Sequence, residues 1–127
     1  MSRSHLFKAV SVILISLLIG CQSKELLLKR EKESDSHYKL GVAYLSETRP
    51  NVQKAYLEFL KAIEINPKNK EAHYGLGHVY AQRQEYLKAI DAFQKTISLD
   101  PRFSEAYNYL GNIYEVLKRD SEAILAY

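Results

Sequence analysis

A chain of 127 residues with 46% hydrophobic side chains and both charge signs mixed along its length accommodates one ordered domain with a short extension, not two domains. Glycine and proline are sparse, 5 and 3, and apolar residues recur three and four apart, so the class is all-α. The formal charge is +3, but setting aside Arg3 and Lys8 of the N-terminal segment leaves basic and acidic side chains nearly balanced, and no Lys or Arg run gathers on one face, which argues against a nucleic-acid partner.

At the N-terminus, Arg3, His5 and Lys8 precede an uncharged, mostly apolar run from Ala9 to Ile19, then Gly20 and Cys21. The run is well short of the roughly 20 residues needed to cross a bilayer, so it reads as a cleaved export signal. Leu18-Ile19-Gly20-Cys21 resembles the bacterial lipobox. That resemblance implies cleavage after Gly20 and a diacylglyceryl group on the Cys21 thiol, with acyl chains contributing about 0.8 kcal/mol per buried methylene. The segments expected are therefore a lipoprotein signal peptide over 1–20 and a lipidated, charged tether over 21–33. Gln22 after the cysteine, where an aspartate would imply retention, implies outer-membrane sorting with the protein facing the periplasm. The tether, rich in Lys, Glu and Arg around Leu26 to Leu28, reads as a partly helical spacer.

Beyond it the sequence repeats. Leu40-Gly41, Leu76-Gly77 and Leu110-Gly111 recur, each glycine followed three residues later by a tyrosine, Tyr44, Tyr80 and Tyr114. Gly77 to Gly111 and Pro67 to Pro101 share one period, and the first glycine spacing is longer by two residues, which fall around Glu47 to Asn51, where a turn tolerates insertion. The periodicity predicts six helices: Asp35 to Ser46, Val52 to Ile65, Lys70 to Gln82, Tyr86 to Leu99, Phe103 to Leu117, and Asp120 onward. Gly77 and Ala89 are small where two helices cross closely. Tyr80 and Phe93 fill the space between pairs, and Pro101 stops one helix and turns the chain into the next.

This pattern resembles the tetratricopeptide repeat, over residues 34–127, with repeats at about 34–69, 70–103 and an incomplete 104–127. The first repeat supplies His37, Leu40, Gly41, Tyr44, Ala55, Phe59, Ala62 and Pro67; the second His73, Leu76, Gly77, Tyr80, Ala89, Phe93, Thr96 and Pro101; the third Tyr107, Leu110, Gly111, Tyr114 and Ala123. The resemblance implies an α-solenoid of about two and a half to three antiparallel helix pairs. Because Tyr127 stands where Phe93 does, the last helix lacks its final turn, which leaves an apolar face open to further sequence or to self-association.

By resemblance, the first helices of the pairs line a concave wall that binds a protein or peptide segment, with Tyr38, Val42 and Leu45, then Tyr74, His78 and Ala81, then Asn108, Asn112 and Glu115 at the binding positions. Tyrosine offers a stiff apolar face with a polar tip, and asparagine can satisfy both groups of an extended backbone. Tyr38 and Tyr74 stand where a carboxylate-clamping lysine would be wanted. His73 and His78 are five apart and diverge around their helix, so neither is assigned as a metal ligand, and His73 reads as interhelical filler. No catalytic residue and no cofactor besides the lipid on Cys21 are expected. A short lipidated tail leading directly into such repeats is similar to the pilotin lipoproteins that assist secretin assembly in type IV pilus biogenesis. The alternative from another class is a structural scaffold for a cell-wall or outer-membrane assembly complex, and a more remote one is a non-catalytic, lipid-anchored subunit of an enzyme.

Overall fold

The computed structural model describes the backbone of residues 3–125 and the side chains of residue 5 and residues 7–119. Among the described residues there are five α-helices and no strand: α1 (Arg3–Ser46), α2 (Val52–Ile65), α3 (Lys70–Gln82), α4 (Tyr86–Leu99) and α5 (Ser104–Leu125). The order of contact is α1 on α2, α2 on α3, α3 on α4 and α4 on α5, with α1 also touching α3. This is an α-solenoid in which each helix packs on its neighbours in the chain.

The ends of α2, α3 and α4 coincide with the predicted ones, for identifiable reasons. Asn51 Oδ1 accepts from Lys54 N–H at 3.0 Å and Asn69 Oδ1 from Ala72 N–H at 2.9 Å, capping α2 and α3. Asn66 and Asp100 end α2 and α4 in extended conformations, φ −134° and −142°, because each precedes a proline that disfavours a helical residue before it. Their side chains then close the same small turn: Asn66 Oδ1 accepts from Lys68 N–H at 3.1 Å and Asp100 Oδ1 from Arg102 N–H at 3.0 Å. The connection 47–51 between α1 and α2 is two residues longer than 83–85 between α3 and α4, which accounts for the longer first period.

Two expectations about helix number are corrected. The first repeat helix does not begin at Asp35 but continues α1, which runs without a break from Arg3 through the tether, because no proline and only one glycine, Gly20, interrupts good helix formers. Likewise no turn separates Leu117 from Asp120, and the two predicted C-terminal helices are one helix of 22 residues. The equivalent turn at Arg83–Glu85 has no glycine or proline either, and it is made at the expense of Gln84 in the left-handed region, φ 61°. Packing of α4 back onto α3 compensates that strain.

Phe59 and Phe93, one period apart, are fully buried and organise the core. Phe59 packs with Ala55, Leu76 and Val79, and Phe93 with Ala89, Ile90, Ala106, Leu110 and Ile113. The glycines explain how the helices come so near. A Cβ built on Gly41 or Gly75 would lie 2.6 Å from the Phe59 ring, and one on Gly77 would lie 2.7 Å from the Phe93 ring. At Gly111, the same repeat position in the third pair, nothing among the described residues lies within 4 Å. The face around it is open, with Tyr107 and Tyr114 each about half exposed. Ala123 lies outside the described side chains and Tyr127 outside the described residues.

Buried polar groups are satisfied by a clasp that spans repeats. Asn69 Nδ2 donates to Ser34 Oγ at 2.8 Å, and Ser34 Oγ–H donates to Ala62 O at 2.8 Å, so the side chain that caps α3 also binds α1 to the end of α2. Thr96, where an alanine is usual, returns its hydroxyl to Ala92 O at 3.1 Å and so avoids an unpaired buried group.

The N-terminal part of α1 is different in character. Phe7 and most of the side chains from Val12 to Ile19 are large, apolar and more than half exposed, and Val10 is nearly half exposed. By length and composition this stretch passes as a membrane-crossing helix, and an N-terminal signal sequence passes the same test.

Candidate partner-binding groove

The repeat register places the predicted wall residues on α1, α3 and α5, but in three different surroundings. On α1, Tyr38 and Leu45 are half-buried against the Phe59 cluster, with the Tyr38 and Phe59 ring centroids 6.0 Å apart, and Val42 is exposed. On α3, Ala81 is half-buried against the Phe93 cluster, and Tyr74 and His78 enter an aromatic assembly. On α5, Asn108, Asn112 and Glu115 are exposed. The wall thus grades from apolar through aromatic to amide and acid.

The aromatic assembly is the densest part. The Tyr74 ring lies 4.8 Å from His78, 5.0 Å from Phe103, 5.7 Å from Phe93 and 5.9 Å from Tyr109, centroid to centroid. The His78 ring is 4.1 Å from Tyr109, which in turn stacks on Phe93 at 5.4 Å with ring planes 17° apart. Edge-to-face and offset pairs of this kind contribute about 0.5–1.5 kcal/mol each beyond the area they bury. Phe103 and Tyr109 did not figure among the predicted wall residues. The signal that could have found Tyr109 is its register: it stands one period after Gly75, so where the first junction brings backbone against Phe59, the second inserts a ring against Phe93.

Charge and protonation follow from this packing. Burial, followed by the carboxylate of Glu71, raises the Tyr38 phenol above its ordinary value. Tyr74 is pushed up to about 12 by burial first, then by Tyr109, Glu105 and Tyr38. Both tyrosines are therefore neutral hydroxyls at physiological pH. Burial holds His78 below the ordinary imidazole value, so it too presents a neutral ring.

Histidines outside the wall have structural partners. His73 Nε2–H donates to Pro67 O at 2.9 Å, and Tyr107, at the same repeat position, donates its hydroxyl to Pro101 O at 3.2 Å. The histidine thus repeats the job of the usual aromatic, clasping the preceding turn. At His37 no proline stands six residues before it, and the ring instead meets Glu58 Oε2 at 2.6 Å, with Lys61 Nζ on the other oxygen at 3.0 Å. That hydrogen bond is the main reason Glu58 is held below its ordinary value. Among the described residues, no group of three or more His, Cys, Asp or Glu side chains is placed to hold a metal ion. Cys21 is exposed on α1, far along the helix from the wall.

Comparisons with known proteins agree with this architecture. Tetratricopeptide repeat profiles match residues 71–103 and 92–126, and a TPR repeat profile matches residues 51–83. Two crystal structures of MamA superpose at 36% sequence identity over 72% of this chain, with TM-scores of 0.63 and 0.62. The chain spans about half the length of each, 52% and 49%. No curated protein sequence matches it significantly. Repeated glycines against repeated phenylalanines, proline-closed turns and three overlapping profile matches give one conclusion: this chain is a tetratricopeptide repeat protein, an α-solenoid of the kind that serves protein–protein interaction.

Proposed function

We propose that this protein is a membrane-tethered scaffold whose concave wall captures a segment of another protein. The observation that carries the reading is the Tyr74–His78 assembly, a row of neutral, partly accessible rings on the wall, flanked by exposed asparagines able to meet a peptide backbone. Partner residues are Tyr38, Val42, Leu45, Tyr74, His78, Ala81, Asn108, Asn112 and Glu115. Tetratricopeptide repeats are generally non-catalytic, and the wall's chemistry suits recognition. Replacing Tyr74 and Asn112 together by alanine is expected to weaken partner capture at least tenfold while helicity stays unchanged; undiminished capture refutes the wall as the site.

The tether is part of the same proposal. The lipobox-like sequence ending at Cys21, the thiol's exposure and the exposed apolar stretch before it support export, cleavage and lipidation, with anchoring in the outer membrane facing the periplasm. Cys21→Ser is expected to remove the acyl mass and release the protein from membranes, or arrest it as precursor; unchanged mass and fractionation refute the anchor. With that anchor, assistance to a secretin or another pilus-assembly component is the role we favour, because a lipidated tail passes directly into repeats. Loss of secretin multimers on deletion supports it, and unchanged multimers overturn it. The exposed Tyr107 and Tyr114 face further supports self-association, which sedimentation at rising concentration tests.

A further inference from the structure

Three residues ahead of each wall residue Tyr38, Tyr74 and Asn108 stands a carboxylate: Asp35, Glu71 and Glu105. Residues three apart share one face of a helix, so Asp35 neighbours Tyr38 on α1 and Glu71 neighbours Tyr74 on α3. The two helices thus repeat one ring-and-carboxylate arrangement, and the next pair's carboxylates, Glu71 for Tyr38 and Glu105 for Tyr74, add to burial in raising the phenols. Cations that could cancel it are few. Lys70 lies 4.0 Å from Glu71 but donates at 2.6 Å to Asp100, which takes up its charge from the other side. Between Ser104 and Leu117, α5 has no Lys or Arg and carries Glu115 besides Glu105. Lys39 is the one lysine of the Ser34–Ser46 segment, and it stands in the register of Gly75 and Tyr109, off the line of Tyr38, Val42 and Leu45.

Resting on the groove reading above, we propose that the groove's occupant is an extended protein segment bearing Lys or Arg about three residues apart, with aliphatic side chains between them. An ammonium or guanidinium group gains from a tyrosine face and a carboxylate together, and the neutral rings desolvate it on one side only. The spacing follows from geometry: α1 and α3 are in contact, neighbouring helix axes lie about 8–10 Å apart, and a chain extended as polyproline II advances about 3.1 Å per residue and presents every third side chain on the same side. Two successive ring-and-carboxylate stations are thus reached by every third side chain. The aliphatic residues between them meet Val42, Leu45 and Ala81.

Labelled twelve-residue peptides of repeating Lys-Leu-Ser, Gln-Leu-Ser and Glu-Leu-Ser, titrated into the full chain and followed by fluorescence anisotropy, test this. The lysine peptide is expected to bind at least tenfold more tightly than the glutamine peptide, with that advantage shrinking as salt is raised. Glu71→Gln with Glu105→Gln is expected to remove the advantage and leave binding of the glutamine peptide unchanged. Glu64→Gln with Asp91→Asn, exposed on α2 and α4, controls for overall charge and is expected to change nothing. If glutamine and lysine peptides bind equally, or the control pair acts as strongly as the groove pair, the basic occupant is overturned while the groove stands. If no peptide binds, or Tyr74→Ala leaves all binding intact, the groove reading falls with it.

Discussion

Gly41, Gly77 and Gly111 share one repeat position, yet replacing each by alanine is expected to have effects of opposite sign. In a helix interior, Gly→Ala gains about 0.8–1.0 kcal/mol from backbone entropy and propensity. At Gly77 the new methyl would lie 2.7, 2.9 and 2.9 Å from three atoms of the Phe93 ring. That ring cannot step aside, because it is fully buried and bounded by Tyr74, His78 and Tyr109. Overpacking of this kind costs about 1–3 kcal/mol, and three sub-contact distances place it toward the upper end, so the net is a loss of about 1–2 kcal/mol. Gly41→Ala meets the Phe59 ring at 2.6 Å and belongs in the same range. Gly111→Ala meets nothing within 4 Å among the described residues and keeps the whole gain of about 1 kcal/mol. Thermal denaturation followed by circular dichroism separates the three variants, since about 1 kcal/mol moves the melting temperature of a domain this size by about 4–8 °C. Stabilisation by Gly77→Ala to the same degree as Gly111→Ala would refute the view that close approach to the phenylalanines fixes these glycines. Phe93→Leu in the Gly77→Ala background is expected to recover part of the loss.

Three further outcomes are expected. Phe59→Ala should destabilise by about 3–5 kcal/mol, since the ring is fully buried between Gly41 and Gly75, and a drop in the urea midpoint without loss of slope checks it. Gln84→Asn should stabilise by some tenths of a kcal/mol up to about 1, because asparagine tolerates the left-handed backbone that Gln84 adopts at φ 61°; thermal melts decide it. His73 and His78 are both held below the ordinary value of 6.5, mainly by burial, so the unfolded chain binds more protons than the folded one as pH drops. Stability from these rings is present above about pH 6.5 and is lost as pH falls below it, and His73→Phe with His78→Phe should flatten that slope in melts between pH 7.5 and 5.

The middle of the chain was legible because its boundaries are written in local chemistry. Asn51 and Asn69 cap, Pro67 and Pro101 stop, and the helices between them end where those residues act. The outer helices were not legible for the converse reason. Nothing local marks Asp35 as a start, and Lys118–Asp120 reads no differently from the Arg83–Glu85 stretch that does turn. What bends the chain at Gln84 is the tertiary packing of Phe93 onto Gly77, which periodicity identifies as a contact but cannot convert into a helix end. In the wall, the residues facing the groove could be placed by register, whereas their neighbours could not. Tyr109 differs from Gly75 at one position, and that substitution turns a close backbone approach into an aromatic assembly.

The unbroken α1 has a consequence for what the wall senses. With Cys21 as the point of attachment, the first clasp to the repeats forms at Arg30, whose guanidinium donates to Ile65 O at 2.8 Å, nine residues along the helix (30 − 21), and at 1.5 Å per residue this is a stalk of about 14 Å. Screening at physiological ionic strength acts over about 8 Å. On that attachment, a stalk of that length would hold Glu71 and Glu105 beyond the electrical double layer of the lipid surface. The carboxylates would then answer to the charge of an approaching chain and be indifferent to the headgroups beneath them.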